Sequence, residues 1–236
     1  MDLHALPITH PWRDVRDGLR DIAAPAIAAI PIGLLFGAVA AGKGLSVLEV
    51  ALMSGLVFAG GAQFAGIEIW GYPVPVAALA FSTLLINLRH VLMGASLAPK
   101  ARFGTGWRLL GFSVMADENW ALAERRATHA PVTLAYWGPM GALFWANWVT
   151  WSTLGAMIGA AMGPPERFGA DFAFTAMFIG LIAGFVRGRP TLLVIAASAA
   201  AAALTYQFVG APWHVAAGAL AGIAAAYGLA RPEGTP

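Results

Sequence analysis

The sequence predicts an all-α, polytopic membrane protein, and three observations carry that expectation. Hydrophobic residues make up 59% of the 236 and charged residues only 11%, against roughly a quarter charged in an ordinary soluble domain. The mean hydropathy of +0.71 is spread along the whole chain, which argues against one anchor helix on a soluble body. The apolar runs lack the strict alternation of a barrel, and an open strand would leave peptide groups unpaired in lipid, so helices remain.

Residues 1–21 hold Arg13, Arg16 and Arg20 with Asp2, Asp14, Asp17 and Asp21 and no apolar core. They do not resemble a cleaved signal peptide, and they are expected to stay as a cytoplasmic N-terminal segment. A hydrocarbon core about 30 Å thick asks for about 20 apolar residues per helix. By that ruler a single transmembrane domain fills 22–230, before a short tail at 231–236. Its first segment is 22–41. The second, 47–70, is bounded by a Gly-Lys-Gly turn at 42–44 and by Gly71-Tyr72-Pro73. The third, 74–98, carries Asn87, Arg89 and His90 in its second half. Residues 109–123 are apolar but short and contain Asp117-Glu118-Asn119, so whether they cross is left open. Clearer spans follow at 134–162, 171–186, 191–209 and 213–230.

Basic residues in short loops tend to stay cytoplasmic. Eight full crossings from an inside N-terminus would put Lys100, Arg102 and Arg108 outside, whereas one re-entrant segment before residue 99 would return them to the side of Arg125, Arg126, Arg187 and Arg189. The candidates for a re-entrant or broken segment are 47–70, with its paired glycines, and 109–123. Six, seven and eight segments all remain compatible. A two-repeat architecture is a further option: Glu49 and Asp171 each head an apolar helix, and Pro73 and Pro190 each open the next segment. Gly33 and Gly37, at four-residue spacing, suit close approach of another helix, from this chain or from a small subunit.

An ionisable group near the bilayer centre costs from about 2.5 to more than 10 kcal/mol, so it persists only if paired, hydrated or used. Arg89 lies roughly 22 Å along a straight helix begun at residue 74, at 1.5 Å per residue. It either snorkels to headgroups or lines a solute path and pairs with an anion. Asp117 and Glu118 are a loop tip on one reading. On the other they partner Arg89 and accept a proton, since desolvation raises a carboxyl pKa. In Gly60-Gly61-Ala62-Gln63-Phe64 the glycines permit unwinding and Gln63 supplies a donor and an acceptor. Unwound backbone lining a cavity offers peptide groups to an amino acid's carboxylate and ammonium, while close helix crossing explains the same glycines. Capping explains Glu49 and Asp171 better than a site does. Asn147 amid Trp145, Trp148 and Trp151 reads as an aromatic belt or a packing face, and His214 as interfacial.

Several function classes are disfavoured. There is no Cys, hence no disulfide, thiolate metal site or iron–sulfur cluster, and neither a metal nor a cofactor is expected. The net charge of +2 is too scattered for nucleic acid. No Walker loop and no His-Glu-x-x-His pair occur, and Gly94-Ala95-Ser96 is too short a match to a serine-nucleophile turn to suggest an enzyme. Moving a small solute is the simplest task left.

The chain resembles the AzlC-like branched-chain amino acid permease family, the large subunit of a two-component exporter. The resemblance lies in Pro31-Ile-Gly-Leu-Leu-Phe-Gly37, in Gly44-Leu-Ser-Val-Leu-Glu49 with Met53-Ser54, and in Val57-Phe-Ala-Gly-Gly-Ala-Gln-Phe64. Ile86-Asn-Leu-Arg-His90 with Gly94-Ala-Ser-Leu-Ala-Pro99 is the most telling string, and Asp117-Glu118 and Asp171-Phe-Ala-Phe follow the same pattern. The resemblance covers about residues 15–210. It implies ion-driven export of leucine, isoleucine, valine or a neighbour such as methionine across a bacterial cytoplasmic membrane, together with a small AzlD-type membrane subunit. Combined with the polar residues above, it makes Gly60, Gly61, Gln63, Phe64, Asn87, Arg89 and His90 the candidate substrate site and Asp117 and Glu118 the candidate proton carriers. A passive channel or permease for a small neutral solute is the alternative.

Overall fold

A computed structural model describes residues 10–162, 179, 182–183, 186, 188–210 and 213–229. Among these residues nine helices follow one another. They are α1 (Pro11–Gly42), α2 (Val47–Val57), α3 (Gly60–Glu68), α4 (Val76–Leu97), α5 (Thr105–Phe112), α6 (Asp117–Ala127), α7 (Leu134–Met162), α8 (Arg189–Phe208) and α9 (Trp213–Leu229). The all-α expectation holds, and α7 has the bounds its hydropathy predicts. Asp171, and with it the repeat comparison, lies outside the described residues. By length and composition α1, α4 and α8 are each long and apolar enough to cross a membrane.

The segment expected at 109–123 is two helices rather than one. α5 has eight residues and α6 eleven, or roughly 12 and 16 Å at 1.5 Å per residue, too short to cross. α1 begins eleven residues ahead of its apolar run, because Pro11 at the first helical position suits a helix start and no breaker follows until Pro25 and Pro31. Those prolines interrupt the hydrogen-bond ladder, and Asn147 Nδ2 donates to Ala26 O between them at 3.0 Å.

The chain forms two compact units. The first comprises Met1–Phe64 and Asn87–Ala170, the second Ala65–Ile86 and Asp171–Pro236. In the first unit α1 and α7 run parallel with almost no side chain between them. A Cβ built on Gly33 would meet Trp151 Cβ at 3.1 Å, one on Gly37 would meet Ala156 N at 2.5 Å, and one on Gly159 would meet Ala38 Cα at 2.8 Å. Contacts that climb both helices together define the parallel sense. The partner of the Gly33/Gly37 face is therefore α7 of the same chain.

The same end of this helix pair gathers the charges. Asp14 and Arg126 form a buried ion pair, Thr133 Oγ1 donates to Asp14 Oδ2 at 2.6 Å, and Tyr136 OH donates to Asp21 Oδ2 at 2.7 Å. Arg102 N donates to Val132 O at 2.8 Å, which ties the residues after α4 to those before α7. Lys100 pairs with Glu124 of α6. Lys100, Arg102, Arg125 and Arg126 therefore lie with the start of α1, an arrangement that agrees with the positive-inside rule if that end is cytoplasmic.

In the second unit α8 and α9 run antiparallel, with Gly218 against Ala202 and Ser198 and Gly222 against Ser198 and Val194. A groove of about 620 Å³ lies between them, lined by Ile182, Val194, Ser198, Gly218, Gly222 and Ile223 among others. None of the site residues expected from the sequence lines it.

Candidate functional site

The segment 47–70 is broken. Ser46 and Glu49 form a capping box that starts α2, with Ser46 N donating to Glu49 Oε2 at 2.7 Å and Glu49 N donating to Ser46 Oγ at 3.3 Å. α2 then stops where Phe58 takes a left-handed conformation, φ 42° and ψ 47°. Such a conformation costs a residue with a side chain about 1–3 kcal/mol. It is held here by burial of the Phe58 ring, edge-on to Phe144 with centroids 6.2 Å apart.

The chain folds back at this point. Gln63 Nε2 donates to Ser54 Oγ at 3.1 Å across nine positions of sequence. In a straight helix those residues would be roughly 13.5 Å apart along the axis and on opposite faces, so the bond requires a reversal between them. Contacts from Ser54 to Ser152 and from Phe58 to Phe144 show α2 descending α7 as it advances, which places the reversal near the middle of α7. The broken segment read from the paired glycines is present, with its turning point two residues ahead of them.

α7 meets both sides of the break. Loss of the helix at residue 58 deprives Gly55 O of its i+4 donor, and Trp145 Nε1 donates to it at 2.9 Å. Trp148 Nε1 donates to Gln63 Oε1 at 2.9 Å, and the hydroxyls of Ser54 and Ser152 lie 2.7 Å apart. Ser54, Gln63 and Ser152 are all 0% exposed, so this polar chain is wholly internal. Trp148 also covers Gly60, where an added Cβ would sit 3.2 Å from the ring, and stacks on Phe36. Phe64 packs edge-on against Phe36 at 5.2 Å. Gly60, Gln63 and Phe64 thus share one site with Ser54, Trp145, Trp148 and Ser152, and Gly61 lies between them on α3.

Arg89 forms a second centre. Its Nη1 lies 2.6 Å from Asp117 Oδ2, with the two side chains 40% and 50% exposed. The guanidinium therefore pairs with a carboxylate of the protein. Arg89 Nε and Asn87 Oδ1 are buried with no hydrogen-bond partner. Glu118 follows Asp117 at the start of α6. It has open surface on one side, but the protein mass around the rest desolvates its carboxyl and raises its pKa above 4.5, and the Asp117 charge adds to this. His90 is half-buried beside Arg89 on α4. Ser96 Oγ lies 2.8 Å from Glu124 Oε1 and accepts from Trp120 Nε1 at 3.0 Å, and His90 is not among its partners.

Sequence reasoning missed three groups. Ser54 entered only as part of a string that resembles the family, with no site role assigned, and Ser152, a small polar residue in an apolar helix, gave no signal. The tryptophans read as a belt are hydrogen-bond donors to the broken segment, and Trp151 donates to Asn147 Oδ1 at 3.1 Å. The third is the Asp14–Arg126 cluster, where Arg126 also lies 3.6 Å from Asp17 and 4.2 Å from the centre of the Tyr136 ring. Its signal was available: Asp14, Asp17 and Asp21 recur at three- and four-residue spacing on one helix face.

Comparison with known proteins matches residues 25–162 to the AzlC protein family. An uncharacterized membrane protein of Archaeoglobus fulgidus is 28% identical over 75% of this chain and 78% of its own length. The inner membrane protein YgaZ of Escherichia coli is 27% identical over 77% of each chain. The branched-chain amino acid transport protein AzlC of Bacillus subtilis is 32% identical over 63% of this chain and 58% of its own. No solved structure matches.

Proposed function

The chain belongs to the AzlC family, and on that premise we propose that it is a secondary transporter exporting branched-chain amino acids from the cytoplasm, coupled to protons. Leucine, isoleucine and valine are the proposed substrates, with methionine the nearest unbranched neighbour. A small AzlD-type membrane subunit is the proposed partner. The family match covers the broken helix, Arg89 and Asp117, and membrane transport rather than catalysis is the role it supports.

The observation that carries the reading is the break between α2 and α3. At a helix start the first N–H groups have no partner within the helix, here those of Ala59, Gly60, Gly61 and Ala62. Gln63 N is the first to find one, donating to Ala59 O at 2.9 Å. Free N–H groups and the positive end of the helix dipole favour a carboxylate, and irregular backbone in an apolar segment persists where it faces protein or a cavity. Phe58 and Phe64, which flank the start of α3, and Met93 of α4 are the proposed acceptors of the aliphatic side chain. An amino acid bound this way would have its charged end at the start of α3 and its side chain among aromatic rings.

Arg89 and Asp117 are the proposed charged switch. An arginine is too basic to shed its proton, so it needs an anion, and a substrate carboxylate that has left the start of α3 and reached this second centre can compete with Asp117 for it. Glu118, with its raised pKa, is the proposed proton carrier. Leucine efflux from preloaded cells tests the assignment. Cells with the chain and its small subunit should clear leucine faster than cells lacking both, and collapse of the proton gradient should abolish the difference. Equal efflux in both would overturn the transport reading, and efflux indifferent to the gradient would favour the passive alternative.

A further inference from the structure

The site proposed above leaves the tryptophans of α7 without a role, and their geometry gives them one. A reversal within an apolar segment exposes groups that must be satisfied, because each unpaired buried peptide group costs several kcal/mol in lipid. α2 and α3 cannot do this for themselves. Trp145 Nε1 takes Gly55 O at 2.9 Å, one of the carbonyls left over where α2 ends, and Trp148 Nε1 takes Gln63 Oε1 at 2.9 Å, just past the start of α3. The Trp148 ring also closes one side of Gly60 and is itself fixed by stacking on Phe36, centroids 6.1 Å apart. Two indoles about one helical turn apart on α7 thus hold the two sides of the reversal at a set separation.

We infer that Trp148, supported by Trp145, is a positioning residue for the substrate site: it holds the α2–α3 reversal open and so sets how tightly the amino acid is bound. The inference rests on the proposal that the substrate occupies this reversal. Trp148 acts through Gln63 and Gly60 rather than by touching substrate. Loss of its N–H leaves Gln63 Oε1 unpaired while a phenyl ring keeps most of the packing, so substrate affinity changes more than turnover or protein amount.

Two measurements on the full-length protein test this. In efflux assays with leucine, Trp148→Phe should raise KM about tenfold, because the reversal is no longer held in place beforehand and ordering it on binding costs affinity, with maximal rate within about twofold. In a Gln63→Leu background the same change should add little, because the acceptor is already gone. Equal multiplicative effects of Trp148→Phe in both backgrounds would overturn the inference, as would a fall in maximal rate at unchanged KM. Deuterium exchange on purified protein needs no substrate. Trp148→Phe should speed exchange across residues 57–64 about tenfold or more while α1 keeps its protection. Uniform loosening of α1 and α7 would show a packing role only and overturn the inference. Selective loosening of 57–64 without any leucine transport by wild type would instead sink the substrate assignment and leave the structural claim standing.

Discussion

Replacing Gly37 by alanine should be among the most damaging single-methyl changes in this chain. A Cβ at that position would lie 2.5 Å from Ala156 N and 2.9 Å from Gly155 C, and closer still to Ser152 O, where ordinary contact starts at 3.4 Å. All three neighbours are backbone atoms of α7, so no side chain can swing aside. The helices must separate by about 1 Å, which also loosens Gly155 against Leu34 and Gly159 against Ala38. Overpacking of this kind costs about 1–3 kcal/mol, and a clash with rigid backbone belongs at the upper end. For a chain of this size each kcal/mol shifts Tm by about 2–4 °C, so Gly37→Ala should melt about 6–12 °C below wild type in detergent. Gly106→Ala, with nothing within 4 Å, is the control and should melt at or slightly above wild type. A Gly37→Ala Tm within about 1 °C of wild type would refute the parallel α1–α7 contact and reopen the prospect that the Gly33/Gly37 face serves a separate subunit.

Arg89→Lys should leave Tm nearly unchanged, because its partly exposed pair with Asp117 contributes only about 0–1 kcal/mol, yet cut leucine efflux below about half at matched expression. Efflux above that level would reduce Arg89 to a membrane-surface anchor. Asp14→Asn leaves Arg126 in a buried site with only the more distant carboxylate of Asp17, at 3.6 Å. The loss therefore belongs at the lower end of the range for a broken buried pair, about 3 kcal/mol, and should lower Tm by about 6–12 °C, whereas Arg125→Ala, at an exposed pair 3.9 Å from Asp21, should change it little. Similar melting of the two variants would contradict the burial assigned to the Asp14 pair. The raised pKa of Glu118 means the folded protein holds that proton more tightly than the unfolded chain does. Its contribution to stability is complete below pH 4.5 and is lost as pH climbs through the raised value. Glu118→Gln should therefore gain on wild type in Tm series run upward from pH 4.5, and a constant difference would exclude the shift.

What the sequence made legible was whatever depends on local composition. Apolar length located α4, α7, α8 and α9, and the paired glycines marked the broken segment. The turning residue was not legible, because it is Phe58, whose left-handed backbone is held by tertiary packing against Phe144 rather than by its own preference. Arg89 could be read as needing an anion, and the pairing with Asp117, 28 residues away, followed from the same reasoning. The Asp14–Arg126 pair spans 112 positions and depends on α6 lying against the start of α1, a fact no local pattern contains. Trp145 and Trp148 show the limit from the other side. Their spacing was visible, but an indole serves equally as an interfacial belt or as a hydrogen-bond donor, and only the position of the α2–α3 reversal decides between them.

Purified chain, alone and with the proposed small membrane subunit, reconstituted in vesicles with a defined pH difference, provides the most direct test of the proposed transport. Radiolabelled leucine should move against its own gradient when protons move down theirs, stop when a protonophore is added, and be blocked by excess valine but not by lysine. Leucine flux that only equilibrates and ignores the protonophore, or no flux above empty vesicles, would contradict a proton-coupled exporter of branched-chain amino acids.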